Sequence, residues 1–104
     1  MTSWPMLIAA ALFEVGWAIG LKYTQGFTRF WPSMWTVVSM AASLALLAWA
    51  ARGLPIGTAY AVWTGIGAAG TAVLGIYLFD DPLTFPRVAG VMLIIAGVVV
   101  LRVS

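Results

Sequence analysis

The chain has no cysteine and no histidine among its 104 residues, and only three acidic side chains. Without cysteine there are no disulfides and no thiolate chemistry; without histidine the common zinc-ligand sets and the Ser-His-Asp arrangement are excluded. No enzyme activity, catalytic residue, metal site, cofactor or nucleic-acid partner is expected. Charge of either sign is scarce, at 8% of residues against 63% hydrophobic. With a mean hydropathy of +1.06, too little polar surface remains to coat a soluble globule, and the composition is that of a membrane protein.

What is present divides cleanly at the charges and turn residues. Four apolar segments result, approximately Trp4 to Leu21, Trp31 to Ala51, Ile56 to Phe79 and Val88 to Leu101. They predict four transmembrane helices, near 4–22, 31–51, 56–79 and 87–102, in one all-α domain spanning 1–104. The last has fourteen residues between Arg87 and Arg102, so both arginines must snorkel toward headgroups for it to cross. The connections carry turn signals at Gln25-Gly26, Arg52-Gly53-Leu54-Pro55 and Asp80-Asp81-Pro82. Residues 1–13 lack a positive n-region and run straight into Glu14, which predicts an uncleaved first helix rather than a signal peptide.

If the segments alternate across the bilayer, Lys22, Arg29 and Arg87 fall on one side and Arg52 and Arg102 on the other. Orientation follows the lysine and arginine asymmetry of short loops. A bias this weak permits insertion both ways round.

Against this background Glu14 stands out. A helix entering the hydrocarbon near Trp4 carries Glu14 about 15 Å deep, close to the middle of a core roughly 30 Å thick. A glutamate there is costly unless it is protonated, paired or facing a wet cavity, so its default reading is functional.

Most aromatic residues, among them Trp4, Phe27, Phe30, Trp31, Trp35, Trp49, Tyr77 and Phe85, fall near segment ends and read as interfacial anchors. Three do not. Trp17 shares a face with Glu14 at i and i+3, and Tyr60 and Trp63 share a face of the third helix in the same way. Each alone reads equally well as lipid-facing packing; together they offer a phenol and two indole N–H groups to a carboxylate that needs donors. Helix two adds Ser39 and Ser43 on one face. Ser39 reads as bonded to its own i−4 carbonyl, whereas the more central Ser43 is placed to polarise a pocket. Gly65, Gly67 and Gly70 cluster after Trp63 and permit either close helix packing or a bend. Gly90 and Gly97, two turns apart in the fourth helix, read as a helix-pairing seam.

Four short helices enclose little space, and one acid supplies no symmetric pathway. Transporters commonly place their site between two inverted repeats, and this chain has no internal repeat. Two copies inserted in opposite orientations create the inverted pair by assembly, bringing two Glu14 side chains to one cationic site. A proton and a cation then bind exclusively of each other, which is the logic of antiport. A proton-conducting subunit with no substrate is the competing class; the deep aromatic cluster argues against it, because a proton carrier needs only the acid and its packing.

The run Phe13-Glu14-Val15-Gly16-Trp17-Ala18-Ile19-Gly20-Leu21-Lys22-Tyr23, followed by Gly26-Phe27-Thr28-Arg29 and Pro32-Ser33, resembles the first helix and loop of the small multidrug resistance family. The run Leu54-Pro55-Ile56-Gly57-Thr58-Ala59-Tyr60-Ala61-Val62-Trp63-Thr64-Gly65-Ile66-Gly67 resembles its third helix. Trp17 after Glu14 and the Trp63-Thr64-Gly65-Ile66-Gly67 string look like the guanidinium exporter subtype; the promiscuous quaternary-ammonium subtype usually has a small residue at the position of Trp17. One departure is that Ala10 and Ala11 stand where many guanidinium exporters have a glycine.

The resemblance implies an antiparallel homodimer of four-helix subunits in the bacterial inner membrane, exchanging guanidinium for protons. By position it gives the central carboxylate role to Glu14, hydrogen-bonding and stacking roles to Trp17, Tyr60 and Trp63, and a polar pocket role to Ser43. It also implies a bend at Gly65 and Gly67, and dimerisation through Gly90 and Gly97. A broad exporter of quaternary ammonium or aromatic cations is the alternative within the family.

Overall fold

The computed structural model describes residues 3–103. It contains four long helices, α1 (Ser3–Tyr23), α2 (Phe30–Ala50), α3 (Ile56–Phe79) and α4 (Phe85–Val103), with a short 3-10 turn at Ala51–Gly53. All four are long and apolar enough to cross a membrane. At about 1.5 Å per residue they measure roughly 28 to 36 Å, matching a bilayer core.

The helix ends follow local chemistry. Pro55 precedes α3, where a missing N–H costs nothing, and its carbonyl accepts the amide of Ala59 at 2.9 Å. Asp80 ends α3 in the left-handed conformation (φ 55°). The fourth helix begins two residues before Arg87, because Thr84 starts it: its carbonyl accepts the Val88 amide at 3.1 Å and its hydroxyl the Arg87 amide at 3.4 Å. Its 19 residues span about 28 Å, enough to cross, with Arg87 in the first turn and Arg102 in the last, about 22 Å apart along the axis and so both within snorkelling reach of headgroups.

The α1–α2 loop turns on Thr24, which is almost fully buried. The Thr24 hydroxyl donates to the Leu21 carbonyl at 2.7 Å and accepts the Phe27 amide at 3.2 Å. Gln25, Gly26 and Phe27 in succession have positive φ, a conformation that only glycine adopts without steric cost.

The Cα trace measures 40 × 34 × 16 Å, a thin slab rather than a closed bundle. Helix α1 lies between α2 and α3, and α4 packs on α3. The buried core is small, centred on Leu7, Ala10, Ala11, Ala50, Ala59, Val62 and Trp63. No residue of α4 is buried. Van der Waals packing through small residues, rather than hydrophobic exclusion, holds such helices together in lipid. Accordingly a Cβ at Gly65 would lie 2.8 Å from Val98 of α4, and one at Gly70 would lie 2.7 Å from Val15 of α1. Helix α3 runs unbroken through Gly65 and Gly67, so both glycines serve close packing in this conformation.

Candidate functional site

Helix α1 carries Glu14 into the middle of the slab and turns it toward α3. The carboxylate lies against Gly67, where a Cβ would overlap Oε1, Cδ and Cγ of Glu14. Oε1 is buried and accepts no hydrogen bond among the described residues, and the Nε1 of Trp17, one turn along α1, is buried without an acceptor. An acceptor and a donor thus lie unpaired on one helix face. Buried polar groups are rarely left in that state, and each such case in a native fold calls for an explanation, a bound water, ion or ligand among them.

Beside them runs a relay joining three helices. The buried indole N–H of Trp63 donates to the Ser43 hydroxyl at 2.9 Å, and that hydroxyl donates to the Ala10 carbonyl at 2.6 Å. Tyr60 packs its ring against Trp63, centroids 5.7 Å apart and tilted by 43°, while 57% of the residue stays exposed. Trp63, Ser43 and Tyr60 are therefore one connected group. Within the single chain none of the donors grouped with Glu14 in the sequence reading is bonded to its Oε1: Trp63 is committed to Ser43, and the Trp17 N–H is unpaired.

Two residues escaped sequence reasoning. Thr71, one turn beyond Gly67 in α3, has a buried hydroxyl with no partner among the described residues; its i+4 spacing from Gly67 was the available signal. Trp35, read as an interfacial anchor, instead donates its indole N–H to the Gly16 carbonyl of α1 at 3.0 Å. The signal there was Gly16-x-x-x-Gly20, a spacing that admits a neighbouring helix closely. Gly90 and Gly97 have nothing within 4 Å of where a Cβ would sit. A groove of about 600 Å³ opens between α3 and α4 beside Gly90, with Ala72, Val73 and Ile76 on one wall. Neither glycine is in packing contact with another helix of its own chain.

The family model described as Small Multidrug Resistance protein matches residues 2–94. The chain belongs to the small multidrug resistance family. Within that family it is 55% identical over 102 residues to a guanidinium exporter of Escherichia coli O6:H1, covering 98% of this chain and 97% of that protein. It is 54% identical, with the same coverage, to guanidinium exporters of Escherichia coli K12 and Citrobacter freundii. Family membership and four bilayer-length apolar helices make the chain a multi-pass transport protein of the bacterial inner membrane.

Proposed function

We propose that this chain exports guanidinium and related guanidinyl cations in exchange for protons. It works as an antiparallel, dual-topology homodimer by alternating access, with proton and cation competing for the paired Glu14 carboxylates. The observation that carries the reading is the unpaired acceptor of Glu14 beside the unpaired donor of Trp17, deep in α1, in a chain 54 to 55% identical to guanidinium exporters.

Guanidinium is planar, offers N–H donors in a fork and no acceptor, and pairs in bidentate fashion with a carboxylate while stacking on indole faces. Glu14 supplies the carboxylate; Trp17, Tyr60 and Trp63 supply ring faces around it. The Trp17 N–H has nothing to give a guanidinium, so its role is to steady a carboxylate oxygen, its own or that of the second copy. Ser43 holds Trp63 in place through the relay to Ala10.

Several observations support the dimer. A slab 16 Å thick has no room for a pathway of its own. Helix α4 lies open, and Gly90 and Gly97 present a small-residue face with nothing against it. The near balance of lysine and arginine across the bilayer lets two copies insert oppositely. An inverted pair then exchanges inward-open and outward-open states, and Gly65 and Gly67 are where α3 bends between them.

Proteoliposome exchange tests this reading. An imposed guanidinium gradient is expected to drive protons the other way, and Glu14→Gln to abolish that movement. Transport of a bulky quaternary ammonium ion as well as or better than guanidinium would replace the subtype with a broad cation exporter.

A further inference from the structure

The hydrogen bond from Trp35 to α1 has no part in the site described above, and its position is unusual. A tryptophan near a helix end ordinarily turns its N–H to headgroups or water. Trp35, in the second turn of α2, instead donates sideways to Gly16 at 3.0 Å. That carbonyl already accepts the intrahelical bond from residue 20, and its second lone pair takes the indole.

The fit depends on what α1 lacks. A Cβ at Gly20 would lie 2.8 Å from the indole Cδ1 of Trp35 and would also crowd the Thr36 hydroxyl; a Cβ at Gly16 would lie 3.5 Å from the indole Cζ2. The ring therefore occupies a notch cut by two glycines one turn apart. On the same pair of helices, the Ser43 hydroxyl donates to the Ala10 carbonyl. The two bonds bracket Glu14, one four residues before it and one two residues after.

We infer that Trp35 is a positioning residue for the Glu14 site. Its indole latches α1 to α2 at Gly16, and with the Ser43 bond it fixes the depth and rotation at which α1 presents the carboxylate to α3 and to substrate. Helices α1 and α2 then move as one pinned unit during exchange. This rests on the reading of Glu14 as the exchange site.

The test uses the full-length protein in proteoliposomes, together with the indole NMR signals of the unmodified protein. In the unmodified protein the Trp35 indole proton is expected to exchange with deuterated water much more slowly than that of Trp31, which is 73% exposed. Trp35→Phe keeps a ring in the notch and removes the donor; Gly20→Ala keeps the donor and displaces the ring. Both are expected to raise the guanidinium KM by about two- to tenfold, the worth of one such hydrogen bond, with kcat within about twofold. Exchange of the Trp35 proton as fast as that of Trp31 would overturn the latch. So would an unchanged KM in both variants, or a fall in kcat alone, which marks loss of folded protein. Failure of the exporter reading is visible separately, as an unmodified chain that exchanges no guanidinium, and it removes the positioning role.

Discussion

The carboxylate of Glu14 occupies the space that a side chain at position 67 would take: a Cβ at Gly67 would overlap Oε1, Cδ and Cγ of Glu14. The glycine of α3 is thus part of the shape of the site, whether or not α3 bends there during exchange.

Gly67→Ala is expected to separate stability from function. The group it meets is the Glu14 side chain from Cγ outward, with no backbone in the way, and turning that side chain aside costs about 0.5–1.5 kcal/mol. The displaced carboxylate no longer meets its cation in register, and because a bidentate charge-assisted pair depends on that geometry, guanidinium binding is expected to weaken. A thermal melt in detergent close to that of the unmodified protein, with exchange at least about tenfold slower, is the expected pair of results.

The relay from Trp63 through Ser43 to Ala10 makes a second prediction. Ser43→Ala leaves a buried indole N–H without its acceptor, a loss of about 1–3 kcal/mol. Trp63→Phe made in the Ser43→Ala background is expected to cost less than it does alone, with a coupling of about 0.6–1.7 kcal/mol. A double-mutant cycle by equilibrium unfolding in mixed micelles measures it.

Three glycines are expected to respond to alanine in three ways, each measurable as a shift in melting temperature. At Gly57, a Cβ meets nothing within 4 Å and the backbone is helical, so alanine is neutral or stabilising by up to about 1 kcal/mol. At Gly26 the space is equally open but φ is +73°, so alanine costs about 1–2 kcal/mol. At Gly20 the Cβ is driven into Trp35 and Thr36, and overpacking costs about 1–3 kcal/mol.

The four spans were legible because apolar runs bounded by charges are a signal of composition, and Glu14 stands out in the same way as the one acid inside such a run. Ser43 was legible as a central hydroxyl on its helix. The partners were not. That Trp63 bonds to Ser43 and Ser43 to Ala10, or that Trp35 reaches Gly16, depends on the rotation and register of one helix against another, which no single segment encodes. Trp35 illustrates the limit most sharply. Its distance from the helix end matches an aromatic belt, and only the facing Gly16 and Gly20 turn it into an interhelical donor. The α4 start at Phe85 is two residues ahead of the boundary that Arg87 marks in the sequence, because the Thr84 hydroxyl caps the first turn.

Topology gives a further expected outcome. A reporter fused after Ser104 is expected on both faces of the membrane, as accessibility to an impermeant label measures. Arg52→Gln removes one of the two positive charges on its side and is expected to shift the reporter toward a single face. A reporter found on one face only in the unmodified chain would remove the antiparallel assembly.

The most direct measurement is coupled flux in liposomes holding the purified protein, with internal pH followed as guanidinium is added outside. Proton movement opposite to guanidinium, abolished in Glu14→Gln, is the expected result. Guanidinium uptake with no proton movement, or exchange that survives Glu14→Gln, would contradict the account.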